Sequence, residues 1–153
     1  MSNFEMVGGI YLVQGPHELD LHNVFDFKEV RYSVAERTVS LLWEHPSKTL
    51  GDNDPAKATI TFEGVREFRF RGRDSEMPFT EDDCLSAMGY QSDQPWSEGN
   101  VLLSEDTEED WLHAFEFQSG ALIAVRADRA NARIYLKSEV VSKSSPGTVP
   151  RAP

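Results

Sequence analysis

Two stretches of the chain alternate apolar and polar residues with a period of two. In the first, Val30, Tyr32 and Val34 are followed by Val39, Leu41 and Trp43, a spacing that places each set on one face of an extended strand. Ala35-Glu36-Arg37-Thr38 reads as the turn between them. Closing it symmetrically sets Val34 opposite Val39, Tyr32 opposite Leu41 and Val30 opposite Trp43, so that all six face one side of an antiparallel pair. In the second stretch, Trp111, His113, Phe115 and Phe117 form one stripe, and Ile123, Val125 and Ala127 another. A two-residue Ser119-Gly120 turn would set Phe115 opposite Ala124 and mismatch the stripes. A three-residue loop, Gln118-Ser119-Gly120 with Gly120 at the left-handed bulge position, sets Phe115 opposite Ile123 and His113 opposite Val125, and this is the register predicted.

Between these hairpins, Thr59 to Arg71 again has strand chemistry, with Ile60 and Phe62, then Phe68 and Phe70. Gly64 and Val65 break its phase. That break is compatible with a tight hairpin or with one long bulged strand. Ala132 to Leu136 predicts a final strand, and Gly9 to Gln14 and Leu19 to Phe27 are less regular strand candidates. Thr80-Glu81-Asp82-Asp83 reads as a helix start, with a capping hydroxyl and an acidic first turn. The predicted helix is short, near residues 81–88, with Cys84, Leu85 and Met88 on one face and Gly89 ending it. Ser138 to Pro153, rich in Ser, Pro and Lys, predicts a disordered tail behind a single domain of residues 1–137. The fold class expected is mainly β, with α+β as the alternative: a twisted antiparallel sheet or a sandwich of hairpins, with one short helix.

Composition confirms that a core is available. At 153 residues, with 39% hydrophobic and 27% charged residues, the chain can bury a core without disulfide or metal support. The single Cys84 allows no internal disulfide, and Met1-Ser2-Asn3-Phe4-Glu5 lacks the features of an export signal, so a reducing cytoplasm is expected. No apolar stretch approaches the roughly 20 residues that span a bilayer. The net charge of -11, from 26 acidic and 15 basic residues, repels phosphate backbones and anionic membranes, making nucleic acid an unfavoured partner and a basic protein a compatible one. The same surplus also simply confers solubility.

Few residues suggest chemistry. His17 and His22 flank Glu18-Leu19-Asp20-Leu21 but stand five apart, about 140° away from each other on a helix and on opposite faces of a strand, so they read as surface histidines and not as zinc ligands. His113 titrates near neutrality in principle, but no nearby nucleophile or orienting group accompanies it, and a core or edge histidine with one hydrogen bond is expected. Cys84, beside Asp82 and Asp83, reads as a buried structural thiol. Asp52-Asn53-Asp54, Glu81-Asp82-Asp83 and the run from Glu105 to Asp110 lack EF-hand spacing. No metal or cofactor is expected.

Two charged features remain. Glu105, Asp106, Glu108, Glu109 and Asp110 crowd like charge between two predicted strands and are the candidate partner-binding residues. Arg69, Arg71 and Arg73 lie opposite the Phe68 and Phe70 face, as a possible anion-binding stripe whose alternative is pairing with carboxylates across the sheet.

The layout of Ile60-Thr61-Phe62-Glu63-Gly64-Val65 with Phe68-Arg69-Phe70, and later Phe115-Glu116-Phe117-Gln118-Ser119-Gly120, resembles small bacterial immunity-type proteins and related uncharacterised families. That resemblance implies a cytoplasmic, partner-binding protein without catalytic activity, and it brings no functional residue with it. The expected function is therefore a non-catalytic interaction domain that meets a basic partner through acidic loops. The alternative, from a different class, is a small-molecule-binding or enzymatic β domain with an interior cavity.

Overall fold

The period-two segments become strands, as the computed structural model shows for the residues it describes, 2–92, 103–107 and 110–144. In chain order these are β1 (Glu5–Val7), β2 (Tyr11–Gln14), β3 (His17–Asp20), β4 (Asp26–Ser33), β5 (Thr38–Glu44), β6 (Pro55–Arg71), β7 (Leu85–Gln91), β8 (Leu112–Phe117) and β9 (Leu122–Leu136), followed by a helix, α1 (Lys137–Ser144). They form two antiparallel sheets, β1-β2-β3 and β4-β5-β6-β9-β8-β7. The larger sheet curls into a half-barrel. The mainly β, antiparallel class predicted from the pattern is the one observed.

The spine is the pairing of β6 with β9, which runs from Pro55↔Leu136 to Arg71↔Leu122. Gly64 decides between the two readings of its segment: β6 is one long strand, with Gly64 at φ 65° and a bulge between Val65 and Glu67. Only glycine sits there without strain, and a Cβ would also collide with the Asp128 carboxylate. The segments Ala121–Asp128 and Ala132–Leu136, expected as two strands, are one, because β6 offers a continuous template. Small Ala130 and Ala132 keep the inward alternation going across the join.

The second hairpin has the predicted register, Phe115↔Ile123 and His113↔Val125, with Gly120 at φ 87°. In the first, the turn lies one residue earlier than expected. Its pairs are Ser33↔Thr38, Tyr32↔Val39 and Val30↔Leu41, and Val34 is in the turn, 72% exposed. The cause is Arg37, which takes a left-handed conformation (φ 53°) while its carbonyl accepts the Val65 N–H at 2.9 Å. Its guanidinium donates to the Val65 carbonyl. Because the register moves by a full pleat, Val39, Leu41 and Trp43 still face inward and are fully buried.

The helix expected near residues 81–88 is not there. Phe79–Glu81 forms a single 3-10 turn whose start is Pro78, with no side-chain cap, and Leu85–Gln91 is strand β7, paired to β8. A bulge between Leu85 and Ala87 brings Leu85 and Met88, three residues apart, to the same core, and a bulged strand then carries the spacing of a helical face. The helix lies instead at Lys137–Ser144, all but its first residue in the stretch from Ser138 that composition marks as disordered. Its first turn is tied down by Lys137 N–H on the Asp54 carbonyl (2.9 Å) and Ser138 N–H on that of Asp52 (3.1 Å). Residues 145–153 of the expected tail lie outside the described residues.

The core gathers Trp43, Phe62 and Phe115 with Leu41, Ile60 and Ile123 from the large sheet, Leu12 and Leu19 from the small one, and Leu21 just after it. A second, small cluster of Leu112, Ala114 and Ala124, covered by Leu103, forms separately. It anchors the segment that carries the acidic residues.

Candidate functional site

Ser104 exchanges two backbone hydrogen bonds with Tyr90, at 2.8 and 2.9 Å, so residues 103–107 run beside β7. The approach is close enough that a Cβ on Gly89 would stand 2.8 Å from the Ser104 carbonyl, which is why glycine occupies that position in a strand. The segment then reaches the β1–β2 turn, where the Glu105 carboxylate accepts the Gly8 N–H. The result is a cleft of about 500 Å³ lined by Glu5, Met6, Val7, Tyr90, Glu105, Asp106 and Thr107. Among the described residues three carboxylates line it and no lysine or arginine does. Burial, and after it the charge of Glu5, push the Tyr90 phenol above its ordinary pKa.

A second cleft of about 640 Å³ shares Tyr90 and Thr107 with the first and adds Arg66, Asp110, Trp111, His113, Arg126 and Asp128. Arg66 is held between Asp110 (3.1 Å) and Asp128 (3.3 Å), and Arg126 faces Glu67 at 3.5 Å. Of the five acidic candidates, Glu105 and Asp106 thus join one cleft and Asp110 the other, already ion-paired. Glu108 and Glu109 lie outside the described residues. Glu5, Tyr90 and Gly89 complete the site but carry no sequence signal for it, since non-local contacts, Tyr90 with Ser104 and Gly8 with Glu105, bring them to the acidic run.

His113 packs among Phe4, Phe62 and Tyr90, with ring centroids 5.9, 5.2 and 5.0 Å away. Its buried Nε2 has no hydrogen-bond partner among the described residues, in contrast to the single bond expected. Burial lowers its pKa to about 4, so the ring is neutral at neutral pH. No orienting group accompanies it among the described residues, and it packs as an aromatic ring at the margin of the core, beside the second cleft.

Cys84 is half-buried, not buried as expected, with its Sγ 3.8 Å from His22 Nδ1. Burial and then the charges of Glu81, Asp83 and Asp26 raise its pKa, which keeps it a thiol. His22 Nδ1 lies 2.5 Å from the Leu85 carbonyl, while His17 pairs with Gln14 on β2. Among the described residues no group of three His, Cys, Asp or Glu side chains could hold a metal ion. No helix among them is long and apolar enough to cross a membrane.

Arg69, Arg71 and Arg73 go to separate partners. Arg69 donates to Glu67 at 2.6 Å, and Arg71 to the Gly120 carbonyl at 3.2 Å. Arg73 grips Asp82 through Nε at 2.8 and 3.2 Å and lies over the Phe79 ring at 4.5 Å. That hydrogen bond holds the Asp82 carboxyl below its ordinary pKa. Comparison with protein-family models, curated proteins and solved structures finds no match to this chain.

Proposed function

We propose that this chain is a non-catalytic interaction domain whose paired clefts receive a lysine- or arginine-bearing segment of a partner protein. The observation that carries the reading is the first cleft: Glu5, Glu105 and Asp106 line it together with Tyr90, and no cation among the described residues does. A guanidinium or ammonium entering there meets carboxylates without displacing a resident ion pair, and the Tyr90 and Trp111 rings of the adjoining cleft offer cation–π contacts worth about 0.5–1 kcal/mol at exposed sites. Exposed charge pairs add little affinity each, so the -11 field acts chiefly on the association rate and on salt dependence. Arg66 and Arg126 of the second cleft each face carboxylates of the chain, which offsets their charge toward a basic partner.

The test is fluorescence anisotropy with a labelled arginine- and lysine-rich peptide across a salt series. Glu5→Gln/Glu105→Gln/Asp106→Asn should remove most of the binding and flatten its salt dependence. A control with the same charge change at exposed positions, Glu18→Gln/Glu36→Gln/Glu76→Gln, should retain it. Equal binding by the two variants would reduce the effect to net charge and overturn the reading.

A further inference from the structure

The half-barrel is open along one side, where β4 is the edge strand of the large sheet. An apolar groove of about 550 Å³ follows that edge. Its near wall is four consecutive β4 residues, Phe27 to Val30, and the far wall and floor include Phe70, Phe79, Phe117 and Ile123. Consecutive residues on one wall mean that the groove meets the strand edge-on and not on one face. Two of its aromatics are open to solvent, Phe70 at 57% and Phe79 at 82% exposure. At one end Tyr32 of β4 touches Phe68 of β6, ring to ring at 4.9 Å. At the other the Phe27 N–H donates to the Asp83 carbonyl at 2.8 Å.

Which backbone groups of β4 point into this opening follows from the ladder. The His45 N–H bonds the Ala56 carbonyl at 2.9 Å, so the odd-numbered residues at and before it in β5 turn their polar backbone groups to β6 and the even-numbered ones to β4. With Ser40 opposite Arg31 and Thr38 opposite Ser33, Arg31 and Ser33 are bonded to β5. Val30 and Tyr32 turn their N–H and C=O groups outward, Val30 at the groove itself and Tyr32 just beyond it.

Charge selects the occupant. Asp26, Glu81 and Asp83 gather around Cys84 at the Phe27 end, closely enough to raise the thiol's pKa after burial has done so. None of the three carboxylates has an ion-pair partner among the described residues, whereas Arg73 is taken by Asp82 and Glu29 by Arg31. Lys28 offsets only one of the three.

We propose that an extended segment of a partner protein adds to β4 as a further strand. It bonds the outward groups of Val30 and Tyr32, lays alternate apolar side chains against Phe70, Phe79 and Ile123, and places a lysine or arginine at the Asp83 end. This contact is separate from the acidic clefts and stands or falls without them.

The experiment selects a phage-displayed random peptide library on the full chain. The expected consensus has apolar residues at alternate positions and a basic residue toward one end. Synthetic peptides of that consensus should slow amide exchange at Val30 and Tyr32. Affinity should fall tenfold or more in Phe79→Ser, which removes an exposed ring and its contact with Arg73, and in Val30→Pro, which deletes an outward donor while leaving the β5 ladder intact. The Glu5/Glu105/Asp106 variant should bind these peptides as wild type does. No enriched consensus, or consensus peptides that bind Phe79→Ser and Val30→Pro undiminished, would overturn the proposal. Saturation of the groove by a small apolar dye with no peptide selected would overturn it too.

Discussion

His113 couples the stability of this fold to pH in a direction that can be worked out. The ring is packed against Phe4, Phe62 and Tyr90 with Nε2 unpartnered, and burial lowers its pKa from 6.5 to about 4. A base with a depressed folded pKa binds fewer protons when folded than when unfolded. Stability is therefore full above 6.5, declines as the pH falls toward 4, and levels off below it. The gap of about 2.5 pKa units, at about 1.4 kcal/mol each, sets the full loss at about 3 kcal/mol. Most of that loss is in place by about pH 4.5, before the carboxylates dominate. The assay is urea unfolding followed by tryptophan fluorescence, at pH values between about 7 and 4.5, for wild type and His113→Phe. The variant loses no hydrogen bond and keeps an aromatic ring in the cluster. Its stability should equal or exceed that of wild type at neutral pH, and the difference in its favour should widen by about 2–3 kcal/mol on acidification. Parallel pH profiles for the two proteins would show that His113 does not titrate against the fold.

Gly64→Ala should cost at least about 1 kcal/mol, since it adds both positive-φ strain and a collision with Asp128, and an unchanged urea midpoint would refute the account of the bulge. Gly120→Val places a β-branched residue at φ 87° and should destabilise by about 1 kcal/mol or more in the same measurement. Gly89→Ala should push residues 103–107 off β7 and weaken binding of the basic peptide with a smaller effect on melting temperature, because the Ser104 carbonyl lies where its Cβ would go. Wild-type affinity in that variant would detach the acidic segment from the site.

What could be read from the chain was what depends on neighbours in sequence. The register of β8 with β9 followed from two stripes and one glycine. The reading failed where a long-range contact decides a local choice. Arg37 bonds to Val65 and thereby moves the first turn by one residue. The bulge in β7 disguised a strand as a helix, since Leu85 and Met88 share a face in either structure. Lys137 and Ser138 find acceptors on Asp54 and Asp52, far back in the chain, so composition alone marked α1 as tail. Of the site, Glu105 and Asp106 are visible as charge, while Glu5 and Tyr90 join them through long-range contacts, Gly8 with Glu105 and Tyr90 with Ser104.

The long union of β6 with β9 also bears on how the protein reaches this structure. Arg71 meets Leu122 and Pro55 meets Leu136, so the spine waits for the last strand of the chain, whereas β4, β5 and the first half of β6 form a local meander. Folds dominated by such distant pairings form in milliseconds to seconds, not microseconds. Throughout that interval Phe68 and Phe70 lie on a strand with neither edge covered beyond Gly64, a ready seed for association between chains. Arg69 and Arg71 alternate with those two aromatics, and charges so placed act as gatekeepers against it. Replacing both with threonine should therefore raise light scattering during refolding more than it lowers the stability of the finished fold.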